Sequence, residues 1–179
     1  MLRKTPDLYF SISCTTRPPR PGEENSIDYH FLSREDFKQR IAKEEFLEYA
    51  EVHGNYYGTL YQPVIDSMKA GKDVLLDIDV QGVRRIRAHK DAVLRDAIAD
   101  IFIMPPTIEE LERRLRKRGT ESDEAIGRRL DNALIEMQCW RDYKYTVFSS
   151  SIEEDLTKFR HIMAAERYLT RRLEEDLED

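Results

Sequence analysis

Four short, unbroken apolar segments constrain this chain more than any other feature: "LYFSIS" (8–13), "DVLLDID" (73–79), "DIFIM" (100–104) and "YTVF" (145–148). A strand with one wet face alternates apolar and polar residues, whereas a parallel-sheet strand covered on both faces reads as a continuous run. Helical periods lie between and after these runs. "TIEELERRLRKRG" opens with Thr107 and Glu110 at capping-box spacing, carries Ile108, Leu111 and Leu115 on one face, and stops at Gly119. "SDEAIGRRLDNALIEMQCW" repeats apolar residues at Ile126, Leu130, Leu134 and Met137, and a charged amphipathic helix follows from about Ile152. Alternating strand and helix predict an α/β fold, with a parallel sheet flanked by helices.

Residues 28–71 follow another pattern. "DYHFL", "FLEYAEV" and "NYYGT" cluster aromatics as antiparallel strands do, around a helix that starts with Ser33 and Asp36 at capping spacing. This predicts a small mixed α+β lobe inserted into the α/β core. The 179 residues suit one domain. No apolar run approaches the ~20 residues of a membrane span, and "MLRKTPDLYF" has no secretory pattern, so a cytoplasmic location is expected. Cys14 and Cys139 stand far apart without metal-ligand spacing. A net charge of −6 argues against nucleic acid as a partner, because backbone affinity needs an excess of cations over an extended face. The cations are nevertheless focused: "RRLRKR" (113–118) holds five basic residues in six, with Arg128 and Arg129 close behind. Such focusing in an acidic chain points to a small anionic ligand.

In "TTRPPRPGE" the prolines stiffen the loop and bias their neighbours toward extended backbone, projecting Arg17 and Arg20 into one neighbourhood. Guanidinium forks match phosphate oxygens, although two exposed cations on a solvated turn would read the same way. Hydroxyls of Tyr29, Tyr57 and Thr59 could add directional donors, or could be the wet tips of core side chains. "VLLDIDVQG" reads as an apolar strand ending in Asp77 and Asp79, which share a face because strand residues two apart point to the same side. Carboxylates at such a strand end serve ligand chemistry or cap the next helix. Glu48 is a further carboxylate among aromatics. The basic helix would ordinarily be a solvated face partnered by Glu109, Glu110 and Glu112.

Taken in order, "SISCTTRPPRPGE", "DYHF", "EFLEYAEVHGNYYGT", "DVLLDIDVQG", "IFIMPPTIEELERRLRKRGTES" and "GRRLDNA" resemble guanylate kinase, in register over about residues 8–149. The resemblance implies a P-loop nucleoside monophosphate kinase-like fold across 1–179, with a GMP-binding lobe at 14–71 and a helical lid at 113–131. It implies transfer of a phosphoryl group from ATP to GMP, with Mg2+ accompanying ATP. By that resemblance Arg17, Arg20, Tyr29 and Tyr57 hold the GMP phosphate, and Ser13, Glu48, Thr59 and Asp79 read the guanine edge. Arg114, Arg118 and Arg129 resemble lid arginines that offset charge on the transferring phosphates. Asp77 is similar to a strand-end acid near magnesium. GMP and ATP are the implied partners, without nucleic acid or membrane, for a monomer or homodimer.

The family pattern also opens with a strand, a GxxGxGK[ST] loop and a helix, and this sequence starts within the equivalent of that helix. None of its seven glycines opens such a loop. The expectation is therefore that the first strand and the ATP phosphate cradle are absent and turnover is impaired, because that loop supplies backbone N–H groups, a lysine and a magnesium-binding hydroxyl. "SSS" (149–151) occupies the usual place of an Asn-Asp pair near the adenine site, and Ser26 that of a glycine. The alternative expectation is a catalytically silent guanylate kinase-like module that binds GMP or phosphorylated protein partners.

Overall fold

The computed structural model describes residues 7–117 and 122–173, in two compact units, Met1–Ile98 and Ala99–Asp179.

In the first unit, β1 (Leu8–Phe10) pairs in parallel with β6 (Asp73–Leu75). A second sheet takes the order β3 (His30–Phe31), β2 (Cys14–Thr15), β5 (Asn55–Leu60), β4 (Phe46–Val52). The predicted run 8–13 is thus cut short. Ser11 N–H still donates to Leu75 O at 3.0 Å, but the chain then leaves the β1–β6 ladder and enters the second sheet at Cys14. The run 73–79 also ends early, at Leu75, so Asp77 and Asp79 share no strand face. β4 and β5 are antiparallel, as the aromatic clustering predicts, joined by a hairpin in which His53 (φ 50) and Gly54 (φ 78) adopt left-handed backbone. β3 instead pairs in parallel with β2.

Helix α1 (Arg34–Ala42) starts where Ser33 caps the Asp36 N–H. It buries Phe37 completely between Phe46 and Tyr56, with ring centroids at 4.3 and 5.3 Å, and so gives the lobe a core of its own. Helices α2 (Tyr61–Lys69), α3 (Val80–Arg87) and α4 (Ala92–Ala97) gather Leu47, Val64, Ile86 and Leu94 into a second buried cluster. Each such side chain contributes about 1.5–3 kcal/mol by leaving water.

The second unit contains β7 (Ile101–Met104), α5 (Ile108–Lys117), α6 (Asp123–Met137), β8 (Tyr145–Phe148), α7 (Ile152–Arg167) and α8 (Thr170–Leu173). β7 and β8 pair in parallel. Thr107 Oγ1 accepts from the Glu110 N–H at 3.1 Å, the cap its spacing predicts. The expected stop of α5 at Gly119 lies outside the described residues. Glu166, buried on α7, accepts from the Tyr145 hydroxyl at 2.5 Å, Lys144 Nζ at 2.6 Å and Arg172 Nη2 at 2.8 Å, which ties both helices to β8.

The four parallel strands are therefore present, but among the described residues they form two two-stranded ladders rather than one sheet. Nor are the strands covered on both faces throughout, since Ile103 and Phe148 are exposed; an unbroken apolar run fixes neither what covers a strand nor which strand supplies the neighbouring hydrogen bonds. A groove of about 230 Å³ lined by Leu8, Tyr9, Phe10 and Ile12 runs along β1.

Candidate functional site

The proline-stiffened loop builds one side of the site. Gly22, at φ 86, turns the chain so that Glu23 comes back onto the residues before it. Its carboxylate receives Arg17 Nη1 at 2.8 Å and Nη2 at 2.9 Å, and the Arg20 backbone N–H at 2.7 Å. Arg17 Nη1 also donates to Pro18 O at 2.7 Å. The guanidinium lies 5.2 Å from the Tyr29 ring centroid and 5.8 Å from that of Phe31, with only 12% of its side chain exposed. Hydrogen bonding to Arg17, then to the Arg20 N–H, pulls the Glu23 carboxyl down to about 2. The same Glu23 contact, supported by the Tyr57 hydroxyl, makes Arg17 hold its proton more firmly. Glu23 thus engages the end of the guanidinium that carries both Nη atoms.

Tyr29 and Tyr57 meet edge-on with centroids 6.3 Å apart. Burial raises the Tyr29 hydroxyl above its usual range, with the Asp77 charge adding to it. Arg17, Tyr29 and Tyr57 thus converge, with Asp77 near enough to be felt. Arg20 joins them here through its backbone.

β5 connects this corner to a second one. Tyr57 and Thr59 are two residues apart on that strand and so share a face. Thr59 is fully buried and its hydroxyl donates to Glu48 Oε1 at 2.7 Å, across the β4–β5 ladder in which the two residues are direct partners. Glu48 is only 5% exposed, and burial pushes its carboxyl above the ordinary glutamate range, with the Asp79 charge acting in the same direction and the Thr59 hydroxyl opposing. Asp79 is the N-cap of α3: its Oδ1 accepts from the Gly82 N–H at 2.8 Å and its Oδ2 from Gln81 Nε2 at 3.2 Å. The capping alternative therefore holds for Asp79, while Asp77 is exposed in the connection after β6. Ser13 meets the lobe through its carbonyl, which accepts from the His30 N–H at 2.9 Å.

The expected lid residues belong to the second unit. Arg114 Nε donates to Glu110 Oε1 at 2.7 Å, and its Nη1 to Ser149 Oγ at 2.9 Å. Ser149 in turn donates to Asp155 Oδ2 at 2.8 Å. Arg113 shares the same glutamate, and the two guanidiniums, Arg113 first, hold the Glu110 carboxyl down at about 2. Arg129 lies on α6, and Arg118 lies outside the described residues.

Glu23 and Gly82 are the residues that sequence reading left without a role. Glu23 had a signal, an acid one residue past a glycine in a loop with two arginines. Gly82 had none, because only the fold brings it to Glu48.

The chain is similar to known proteins along most of its length. The family model described as guanylate kinase matches residues 1–166. A guanylate kinase of Clostridium perfringens strain 13 is 43% identical over 178 residues, 99% of this chain and 80% of the relative. One from Idiomarina loihiensis is 44% identical over 169 residues, 93% of this chain and 78% of the relative. A crystal structure of guanylate kinase from Anaplasma phagocytophilum superimposes with a TM-score of 0.79 at 34% identity, covering 93% of this chain and 79% of that one.

Proposed function

The chain belongs to the guanylate kinase family, and on that footing we propose that it transfers the γ-phosphoryl group of ATP to GMP, giving ADP and GDP. One observation carries the substrate assignment. A single strand, β5, joins a phosphate-type corner at Tyr57 to a carboxylate corner at Thr59, roughly 7 Å along the chain at the usual rise per residue.

Arg17, Arg20, Tyr29 and Tyr57 hold the phosphate of GMP, while Glu23 fixes the Arg17 guanidinium. Glu48, with Thr59, Asp79 and Ser13, reads guanine, whose N1 and N2 hydrogens are adjacent donors suited to a carboxylate. Arg114, Arg118 and Arg129 offset the charge that spreads over the transferring oxygens, so that positioning and electrostatics carry the rate. Among the described residues no three His, Cys, Asp or Glu side chains gather as a metal site. Asp77 is the carboxylate we assign to Mg2+, which binds largely through substrate phosphates and its own waters and so asks little of the protein. When bound, the ion neutralises phosphate charge.

We read 1–179 as one guanylate kinase-like domain, with the lobe at 14–71 and the lid at 113–131. We place it in the cytoplasm as a monomer or homodimer; among the described residues no helix is long and apolar enough to cross a membrane. Because none of the seven glycines opens a GxxGxGK[ST] loop, these 179 residues assayed alone are expected to bind GMP yet form ADP slowly. A chain carrying such a loop ahead of them is expected to form it readily. Titration calorimetry with GMP tests the substrate assignment. Wild type is expected to bind, and Arg17→Ala and Glu48→Ala to lose binding while remaining folded. No GMP binding by folded wild type removes the assignment. GMP binding without turnover, even with the loop supplied, favours a silent binding module.

A further inference from the structure

Gly82 occupies a place in α3 where a glycine has no local reason to be. It is the third residue of the helix, its φ lies outside the left-handed region, and a glycine inside a helix is less favourable than alanine. The reason is spatial. A Cβ at this position would stand 2.7 Å from Glu48 Oε2, 3.1 Å from Glu48 Cδ and 3.1 Å from Ile78 Cβ. Glu48 cannot easily yield, since its other oxygen is held by Thr59 Oγ1 at 2.7 Å and its side chain is buried. Gly127 on α6 shows the contrast, because a Cβ there would meet nothing within 4 Å.

We propose that Gly82 is a positioning residue: the missing side chain sets how deep the Glu48 carboxylate sits, and through that depth the preference of the site for guanine. The inference rests on the assignment of Glu48 as the acid that reads the base. Two donors on the guanine edge need both carboxylate oxygens in register, and a hydrogen bond tolerates a spread of only about 2.7–3.2 Å. A methyl group at position 82 forces the carboxylate to shift by several tenths of an ångström, which spoils the paired contact while leaving the Arg17 corner as it is. Asp79 also stays in place, because it accepts from the backbone N–H of residue 82, which alanine keeps.

The test compares GMP with inosine monophosphate, which keeps the phosphate and N1–H but lacks the exocyclic amine. Affinities are measured by calorimetry for wild type, Gly82→Ala and Gly127→Ala. Wild type is expected to prefer GMP by ~10-fold or more, the worth of a hydrogen bond to a charged group. Gly82→Ala is expected to bring the ratio close to one, whereas Gly127→Ala leaves it unchanged. A folded Gly82→Ala protein with the wild-type ratio overturns the inference. If Gly82→Ala does not fold, adding Glu48→Asp, one methylene shorter, is expected to restore cooperative unfolding, and failure to do so overturns it equally. A wild type that binds both nucleotides alike sinks the guanine assignment of Glu48 itself, and this inference with it.

Discussion

In the first unit, Arg17 meets Glu23 with both Nη atoms, lies against two aromatic rings and keeps 12% of its side chain exposed. In the second, Arg114 meets Glu110 through Nε from one helical turn away, touches Ser149 at its tip and keeps 37% exposed. Both arginines are paired with carboxylates, but the pairs differ in kind. A bidentate, partly buried pair stacked on rings fixes the guanidinium in one place. A solvent-screened i,i+4 helix pair contributes little and is readily exchanged for another anion. The Arg17 corner is therefore prepared before a ligand arrives, while Arg114 can leave its partners when an anion comes within reach.

The sharpest way to break this contrast is to remove each arginine in turn. Arg17→Ala is expected to weaken GMP binding by ~100-fold or more, the value of two charge-assisted hydrogen bonds, as read by calorimetry. Arg114→Ala is expected to leave GMP affinity within about 2-fold while lowering ADP formation by a chain that carries the GxxGxGK[ST] loop by ~10²-fold or more, as loss of a preorganised transition-state contact does. Equal losses of GMP affinity in both variants would erase the distinction.

Glu48 sharpens it next. Glu48→Gln is expected to cut the preference for GMP over AMP by ~10-fold or more, because a neutral amide presents one acceptor where guanine needs two. The preference of the wild type also carries a pH signature. Burial raises the Glu48 carboxyl, so the ionised acceptor is lost on acidification at a higher pH than for an exposed glutamate, near 4.3 or so. The GMP:AMP ratio is expected to fall as pH drops through that raised value, and to stay flat in Glu48→Gln. Both nucleotides carry the same phosphate, so its own titration cancels. Stability runs the other way for this group: a raised acid favours the folded state fully below its ordinary pKa and loses that advantage as pH rises.

How far the sequence revealed this arrangement follows from what kind of signal each residue emits. Arg17 and Tyr57 were legible because a proline-bound loop and a patterned strand announce themselves locally. The caps at Ser33 and Thr107 were legible for the same reason. Asp77 and Asp79 were placed on a strand because apolar residues continue to Ile78, yet the ladder ends at Leu75 and Asp79 turns to capping. Helix α3 takes over where strand periodicity still seemed to run. That the four strands pair as two separate ladders among the described residues was not legible at all, since ladder partners are set by tertiary contacts between distant segments. Gly82 was invisible for that reason too: its neighbour Glu48 stands 34 positions earlier in the sequence.

A smaller effect is expected at Glu23. Glu23→Gln removes the ionic clamp on Arg17 but keeps a side chain of the same shape, so GMP affinity is expected to fall by about 3- to 10-fold, within the range of a weakened charged hydrogen bond. The wild-type carboxyl is depressed to about 2 in the folded protein. Its contribution to stability is therefore complete above the ordinary glutamate value and drains away as pH falls from there toward 2. Denaturant unfolding across that window is expected to show a shallower pH dependence in Glu23→Gln than in wild type. A steeper one would mean that Glu23 does not hold the loop.

Ser26 provides the finest test of where the stiffness of the lobe resides. Its φ of 63 lies in the left-handed region that favours glycine. The conformation costs an L-residue about 1–2 kcal/mol, partly offset by the contact between Ser26 Oγ and His30 Nδ1 at 3.2 Å. Ser26→Gly relieves the strain and forfeits that contact, while the freer unfolded chain gives back about 0.5–1 kcal/mol. The net gain is expected to be under about 1 kcal/mol, seen as a rise in Tm of no more than ~2–4 °C. GMP affinity is expected to stay the same, because the Arg17–Glu23 pair and the rings beneath it hold the phosphate corner, not the strained turn beside it. A clear loss of affinity in Ser26→Gly would transfer that role to the backbone of residues 24–29, and the contrast with the second unit would then rest on loop rigidity rather than on a bidentate ion pair stacked on rings.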